Sequence, residues 1–518
     1  MVTVRDVTLN QLRGLGMTRI FGNPGSTELP MFRDFPDDFE YVLGLQEATV
    51  VAMADGYAQA TRNAALVNLH SSAGVGHALG NLFTAFKNQT PLVVTAGQQA
   101  RPILPFEPFL HADRPTEFPR PFVKWACEPA RAADVPRAIA RAYHIAMTPP
   151  CGPTFVSVPV DDWDQQGEAI APRRFATAHP GDPVALAELA AALGKANRPV
   201  LVLGAGVARD GGWDAAIRLA EALGAPVHVA PFACRNVFPE DHALFAGFLR
   251  ASRTEIVATL APHDLALVVG GPLNLYHTDA EGPHVPQDLA LWLVDDNPGT
   301  LSWAPAGTAV LANSAMALAY LAAEARAVPR PPPAARATAV PPAAGVMTDR
   351  LAMHRIAALR PAASIVVEEA PSSRDAMHDL LPILSADGFY TTAGGGLGYA
   401  LPAAVGIAMA RPGERVIALV GDGSAMYSIQ ALFTAARLGL PISVLVIANR
   451  RYEALESFGR HFGLNKVEGT DLTGLDFRAL ATGHGVAARR VETADELDAA
   501  LIWSFNVQAA TLIEIMVD

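Results

Sequence analysis

The sequence predicts an α/β protein of three consecutive doubly wound parallel-sheet domains, and three observations carry that expectation. Short apolar runs such as AALVNL, PVLVLG, LALVVGG and RVIALVG alternate with helical patterns such as DVPRAIARAYHIAM along the chain. Buried parallel strands covered by helices read this way. Two polar seams interrupt the alternation: DWDQQGEAIAPRRFATAHPGDP at 162–183, and AVPRPPPAARATAVPPAAG at 327–345. The second is a proline-alanine linker, which holds neither a helix nor a central strand. Finally, 518 residues exceed what one hydrophobic core supports, at a rough rule of ~150 residues per domain. The expected domains are 1–183, 184–326 and 346–518.

Composition removes several functional classes. Half of the residues are apolar and 17% are charged, as in a packed globular enzyme. A net charge of −12 argues against a nucleic-acid partner. Cys127, Cys151 and Cys234 form no CxxC pair and read as reduced thiols. The first residues carry Arg5, Asp6, Arg13 and Arg19 without an apolar core, unlike a signal peptide. No run approaches the ~18 apolar residues of a membrane span. The expectation is a cytoplasmic protein with no membrane partner.

One carboxylate stands out. In LQEATVVAMADG, residues 45–56, Glu47 heads an otherwise apolar run. An ionised group is costly to bury without a partner, so either water or something specific meets it.

The richest stretch is RVIALVGDGSAMYSIQALFTAARLGLPISVLVIANRRY, residues 415–452. Arg415 to Val420 reads as a buried strand, Ser428 to Leu438 as a helix, and Ile442 to Ala448 as the next strand. If the two strands are neighbours, Asp422 and Asn449 emerge together at the carboxyl edge of one sheet, where such folds place ligands. Gly421 and Gly423 let the backbone come close to a ligand, and the following helix offers amides to an anion. A carboxylate and an amide carbonyl without nearby His or Cys suit a hard ion such as Mg²⁺ completed by phosphate oxygens. This edge therefore reads as a metal-diphosphate clamp.

GDGS followed by that Asn resembles the motif of the thiamin-diphosphate-dependent 2-oxo acid decarboxylases and synthases. The likeness extends through FGNPGSTELP (21–30), LQEATVVAMADGYAQAT (45–61), VNLHSSAG (67–74), TAGQQ (95–99), RPFVKW (120–125), SVPVDDWD (157–164) and GGLGYALPAA (395–404). It is strongest with members acting on aromatic 2-oxo acids. The resemblance implies non-oxidative decarboxylation of such an acid to an aldehyde and CO2, with aldehyde carboligation as a side activity. A related synthase or decarboxylase acting on another 2-oxo acid is the alternative.

The resemblance also assigns roles. Glu47 meets N1′ of the cofactor's aminopyrimidine, where apolar surroundings favour a shared proton over an isolated charge. Ser26 holds the substrate carboxylate, His70 orients or protonates when the substrate adds, and His277 delivers a proton after CO2 departs. Imidazoles suit such transfers because their proton is mobile near neutral pH. Thiamin diphosphate is held by Glu47, Gly395, Leu397, Gly421, Asp422, Gly423, Ser424, Tyr452 and Ser372. Mg²⁺, for which Ca²⁺ can substitute, is held by Asp422, Asn449 and the backbone carbonyl of Arg451. Leu110, Ala454, Leu455 and Phe458 line the pocket of a small 2-oxo acid; His111, outside the matched set, is a candidate for its mouth. In the family, active sites are shared between subunits of a dimer, and a homotetramer built from such dimers is expected.

The chain departs from the family pattern at several places. Ala448, Arg450 and Arg451 replace smaller or polar neighbours of Asn449, and Pro371 stands where a hydroxyl residue would hold the diphosphate. Both departures bear on cofactor affinity rather than on the class of reaction. LGAGVARDGG at 203–212 lacks the third glycine of a dinucleotide fingerprint, so FAD or NAD has only weak support there.

Overall fold

The computed structural model describes residues 2–325, 330, 333, 336, 337, 339–343 and 345–518; part of the 327–345 linker lies outside the described residues. Among the described residues, three six-stranded sheets organise the chain. The first comprises β1 (Arg19–Gly22), β2 (Glu40–Leu43), β3 (Ala65–Leu69), β4 (Leu92–Gln98), β5 (Ala126–Cys127) and β6 (Thr154–Pro159), in the order β2-β1-β3-β4-β6-β5. The second comprises β7 (Pro199–Leu203), β8 (Val227–Val229), β9 (Phe245–Phe248), β10 (Leu265–Val269), β11 (Ala290–Asp295) and β12 (Thr308–Leu311), in the order β12-β11-β10-β7-β8-β9. The remaining strands are β13 (Ile365–Glu369), β14 (Phe389–Tyr390), β15 (Val416–Gly421), β16 (Ile442–Ala448), β17 (Ala487–Val491) and β18 (Thr511–Met516). Five of them run β13-β15-β16-β18-β17 with parallel pairing.

The central strands are apolar because both faces are covered. Every residue of β3, β4, β6, β7, β10 and β16 is buried. Each strand order turns back on itself, as in a doubly wound sheet, and so creates carboxyl edges between neighbouring crossovers. Among the described residues, no helix is long and apolar enough to cross a membrane.

The chain divides into two compact units: Met1–Ala176 with Pro342–Arg374 and Gly394–Asp518, and Thr177–Pro341 with Asp375–Ala393. Within the first, helix Glu47–Thr61 packs along helix Ala400–Ala410. Glycine makes this possible. A Cβ at Gly56 would collide with the backbone carbonyl of Ala403, and one at Gly406 with that of Met53. Two helices can approach this closely only where side chains are missing.

Within the second unit, segment 375–393 is fastened to the strand-rich part by buried polar groups. His378 Nδ1 is 2.9 Å from Glu240 Oε1, and the Ile383 amide donates to Glu240 Oε2 at 3.1 Å. Arg235 pairs with Asp387, and its guanidinium lies over the Tyr390 ring. These polar contacts tie 375–393 to the middle of the chain within the stretch that follows the linker.

Candidate active site

Two edges of the first unit carry most of the residues singled out above. At the first edge, Glu47 opens helix Glu47–Thr61, whose N-cap Gln46 accepts from the Thr49 amide at 3.1 Å. The Glu47 side chain is buried and meets groups from two other elements. Asn23 Nδ2 donates to Oε1 at 3.3 Å, and His77 Nδ1 lies 3.1 Å from Oε2. Sequence reasoning did not single out either partner. Asn23 stood inside the quoted FGNPGS turn, and His77 lies seven residues beyond His70 on helix Ser71–Lys87.

His70 is the N-cap residue of that helix, so β3 and the helix start together set its place. Its Nδ1 is 2.9 Å from Glu28 Oε2 and 3.1 Å from Thr27 Oγ1. Glu28 is itself immobilised: Gly25 N donates to Oε2 at 2.9 Å, Gly97 N to Oε1 at 2.8 Å, and the Thr27 hydroxyl to Oε1 at 2.6 Å. Any side chain at Gly25 would overlap the His70 ring, and one at Gly97 would overlap Glu28. With the carboxylate accepting a hydrogen bond from Nδ1–H, the tautomer and plane of His70 are fixed and Nε2 is left for other work. Glu28 was hidden in the sequence because nothing in TELP distinguishes it from a turn-forming acid. Ser26 is exposed in the same turn.

A small pocket begins at the residue after His70, lined among others by Ser71, Val75, Ala96, Gly97, Phe118 and Ser157. Ser71 Oγ donates to the Leu110 carbonyl at 3.4 Å. Leu110 and Ser71 both have positive φ, 65° and 49°. Bulky residues rarely adopt that region, and it concentrates at sites where a side chain must be aimed. His111 is half-buried beside Leu110.

The second edge lies on the third sheet. β15 and β16 are adjacent, with Gly421 opposite Ile447, so Asp422 and Asn449 leave the sheet side by side. The helix expected from Ser428 to Leu438 runs only from Ala431 to Arg437, and a further short helix, Asp422–Met426, precedes it across the turn at 427–430. Asp422 is buried and accepts from Gly423 N at 2.8 Å and Arg450 N at 2.6 Å. Burial pushes its carboxyl above the usual range, against the pull of those amides. Asn449 Oδ1 accepts from Arg451 N at 3.1 Å.

Other groups gather at this edge. The Tyr452 ring sits against Gly423, and Ser424 is buried in the first turn after β15. Ser372 follows β13, which pairs with β15, in the short turn of 3₁₀ helix Pro371–Ser373. The guanidinium of Arg451 is taken by Glu453 at 2.7 Å, while Arg450 is exposed with φ of 62°. Ala454, Leu455 and Phe458 lie on helix Glu453–His461, with Leu455 half exposed. Gly395 has φ of 68° in the turn leading to helix Ala400–Ala410, and Leu397 is half-buried in the same turn. That turn is anchored by Glu369, which accepts from the amides of Gly398, Tyr399 and Ala400 at 2.5, 2.8 and 2.6 Å. Full burial nevertheless pushes the Glu369 carboxyl up to about 7.

His277 belongs to the second unit. It is exposed, its amide donates to the Ala251 carbonyl at 3.0 Å, and its ring meets Phe232 edge-on at 5.9 Å.

Among the described residues, no three His, Cys, Asp or Glu side chains gather as a metal cluster. An ion at the second edge would therefore draw on one carboxylate, one amide oxygen and backbone carbonyls. Asp422 fits that demand: its recorded hydrogen bonds come from neutral amides, which leave its charge uncompensated, and the donor set is all oxygen.

Comparison with known proteins decides the family. Residues 2–113 match the model of the thiamine pyrophosphate enzyme N-terminal TPP binding domain, 186–321 the central domain and 372–515 the C-terminal TPP binding domain. The chain is 41% identical to a benzoylformate decarboxylase of Pseudomonas aeruginosa over 99% of both chains. It belongs to the thiamine pyrophosphate enzyme family. Solved structures of the family agree. A benzoylformate decarboxylase from Polynucleobacter necessarius superposes with a TM-score of 0.98 at 38% identity, covering 100% of this chain and 99% of that one. A 4-hydroxybenzoylformate decarboxylase from Rhodococcus jostii does so with a TM-score of 0.96 at 39% identity and the same coverage. In this thiamine pyrophosphate enzyme, Glu47 and His70 lie in the N-terminal cofactor-binding domain, and Asp422 and Asn449 in the C-terminal one.

Proposed function

We propose that this enzyme decarboxylates benzoylformate, or a ring-substituted relative, to the aldehyde and CO2. The observation that carries the reading is His70, locked by a buried Glu28 at 2.9 Å, in the same unit as a buried Glu47. The substrate class is supported by the names of the most similar relatives, two of which are benzoylformate decarboxylases and one a 4-hydroxybenzoylformate decarboxylase.

Thiamin diphosphate, when bound, would supply a nucleophilic carbon and a sink for the electron pair left by CO2. Asp422, Asn449 and the Arg451 carbonyl would hold Mg²⁺, or Ca²⁺ in its place. Gly421, Gly423, Ser424 and Ser372 would cradle the diphosphate, with Tyr452, Gly395 and Leu397 along the cofactor. Glu47 would exchange a proton with the aminopyrimidine nitrogen. Ser26 hydrogen-bonds the substrate carboxylate. His70 presents Nε2 to the substrate oxygen as negative charge develops there, and His277 returns a proton to the carbon that lost CO2.

Leu110, Ala454, Leu455 and Phe458 enclose the aryl group. Burying ~100 Å² of ring surface at ~25 cal/mol per Å² is worth roughly 2.5 kcal/mol over leaving it wet, enough to separate phenyl from methyl by well over tenfold. Subunits pair so that Glu47 of one chain and Asp422 of another complete each site, and two such pairs make a tetramer. The domain limits 1–183, 184–326 and 346–518 and a cytoplasmic location complete the proposal.

The test is coupled measurement of CO2 and aldehyde from benzoylformate and from pyruvate, with Mg²⁺ and thiamin diphosphate. Equimolar benzaldehyde and CO2, with benzoylformate preferred, are expected. Equal turnover of the two acids would sink the aryl assignment. Acetolactate formation from pyruvate would favour the synthase reading, which more distant relatives at 23–30% identity represent.

A further inference from the structure

We infer that His77 is a positioning residue for Glu47. The inference rests on the role proposed for Glu47 and adds to it a residue that neither motif nor spacing had marked. Helix Ser71–Lys87 has His70 as its N-cap and His77 two turns further on. The face of its first two turns looks at Glu47: the space beside Gly74 reaches Oε1 at 3.6 Å, and His77, three residues on, places Nδ1 3.1 Å from Oε2. One helix thus sets both imidazoles.

The geometry explains what His77 does. A carboxyl with one donor on each oxygen, Asn23 on Oε1 and His77 on Oε2, cannot rotate about its terminal bond without losing a hydrogen bond. One lone pair on each oxygen stays available for the cofactor's ring nitrogen. The His77 ring is two-thirds exposed and is not a core group, whereas the Glu47 side chain is 11% exposed. A ring held outside, reaching inward by one nitrogen to a buried acid, suits orientation better than packing. With Nδ1–H as the donor, His77 Nε2 plays no part in holding Glu47, so an asparagine, whose Nδ2–H occupies a similar place, should do the same work.

The test uses Mg²⁺- and thiamin-diphosphate-loaded enzyme as parent, His77→Ala, His77→Asn and Glu47→Gln. Two readouts are taken: C2 hydrogen–deuterium exchange of the bound cofactor by quenched ¹H NMR, and cofactor affinity by fluorescence titration. His77→Ala should slow exchange about tenfold, because a misaligned acid loses proton-transfer efficiency, with affinity changed less than about threefold. His77→Asn should restore exchange to within about threefold of the parent. Parent-like exchange in His77→Ala, an equal loss of exchange and affinity, or failure of His77→Asn to recover would each overturn the inference. Glu47→Gln separates the two levels. If it loses exchange while His77→Ala does not, only the role of His77 falls; if it exchanges like the parent, the assignment of Glu47 falls and the inference with it.

Discussion

Nδ1 of His70 lies 2.9 Å from Oε2 of Glu28, a carboxylate whose side chain is 1% exposed and which also accepts two backbone amides and a hydroxyl. The pair is ordered before any substrate arrives. Replacing Glu28 by Gln keeps the shape but offers Nδ1 either a donor or a neutral acceptor, so the His70 tautomer is no longer dictated. Glu28→Gln should lower kcat for benzoylformate by on the order of 10²-fold, with KM changed far less, because proton transfer rather than binding is impaired. Steady-state kinetics check this, and an unchanged kcat would remove His70 from the chemistry.

Asp422 gives a prediction of a different kind. Its charge sits among neutral amides and is pushed toward protonation by burial. Chelation of divalent ions should therefore abolish thiamin diphosphate binding, and Mg²⁺ should restore it in the parent. In Asp422→Ala, restoration should fail at Mg²⁺ concentrations saturating for the parent. Isothermal titration of cofactor into chelator-treated protein decides it. Tight, metal-independent binding would refute the clamp.

Shared sites can be tested without a structure of the assembly. Glu47→Gln and Asp422→Ala chains should each be inactive alone. Mixed under conditions of proven subunit exchange, they should regain activity approaching a quarter of the parent, since random pairing gives half of the dimers as hybrids with one intact site of two. Zero recovery in exchanged mixtures would show that each chain builds its own site.

Acid sensitivity of the second unit follows from His228 on β8. Burial, aided by nearby His263, pushes its pKa from 6.5 down to about 4, and its Nδ1 has no hydrogen-bond partner. The folded state thus favours neutral imidazole. The resulting stability is complete above pH 6.5 and is lost as pH falls through 4, because the unfolded chain takes up the proton first. The total is about 3 kcal/mol at ~1.4 kcal/mol per unit. His228→Val should flatten the fall in melting temperature across that window relative to the parent. Parallel melting curves with pH for the two proteins would contradict it.

What the sequence disclosed and what it withheld follow from the range of the interactions involved. β15 and β16 could be read because a buried parallel strand is a continuous apolar run, and their adjacency put Asp422 and Asn449 on one edge. Glu47 was legible by contrast with its apolar neighbours. Glu28 and His77 were not, since their meaning lies in contacts made 42 and 30 residues away in sequence. The helix expected from Ser428 starts at Ala431 because the turn at 427–430 carries the same apolar pattern, and the short helix Asp422–Met426 was not legible because Gly421 and Gly423 flank its first residue. Segment 375–393 gave no hint of its grouping, because what fastens it is a handful of buried charges rather than a periodic face.

The glycine-lined contact between helices Glu47–Thr61 and Ala400–Ala410 joins the element that begins with Glu47 to the one that follows Gly395 and Leu397, backbone against backbone. At Gly56 and Gly406 the two backbones touch directly, so a slide of one helix past the other meets backbone atoms rather than side chains that could repack. Under the shared-site arrangement, these ends of one chain serve two different catalytic centres. Each polypeptide would then be a crossbar, and a shift of Glu47 in one centre would be felt at the cofactor turn of the other.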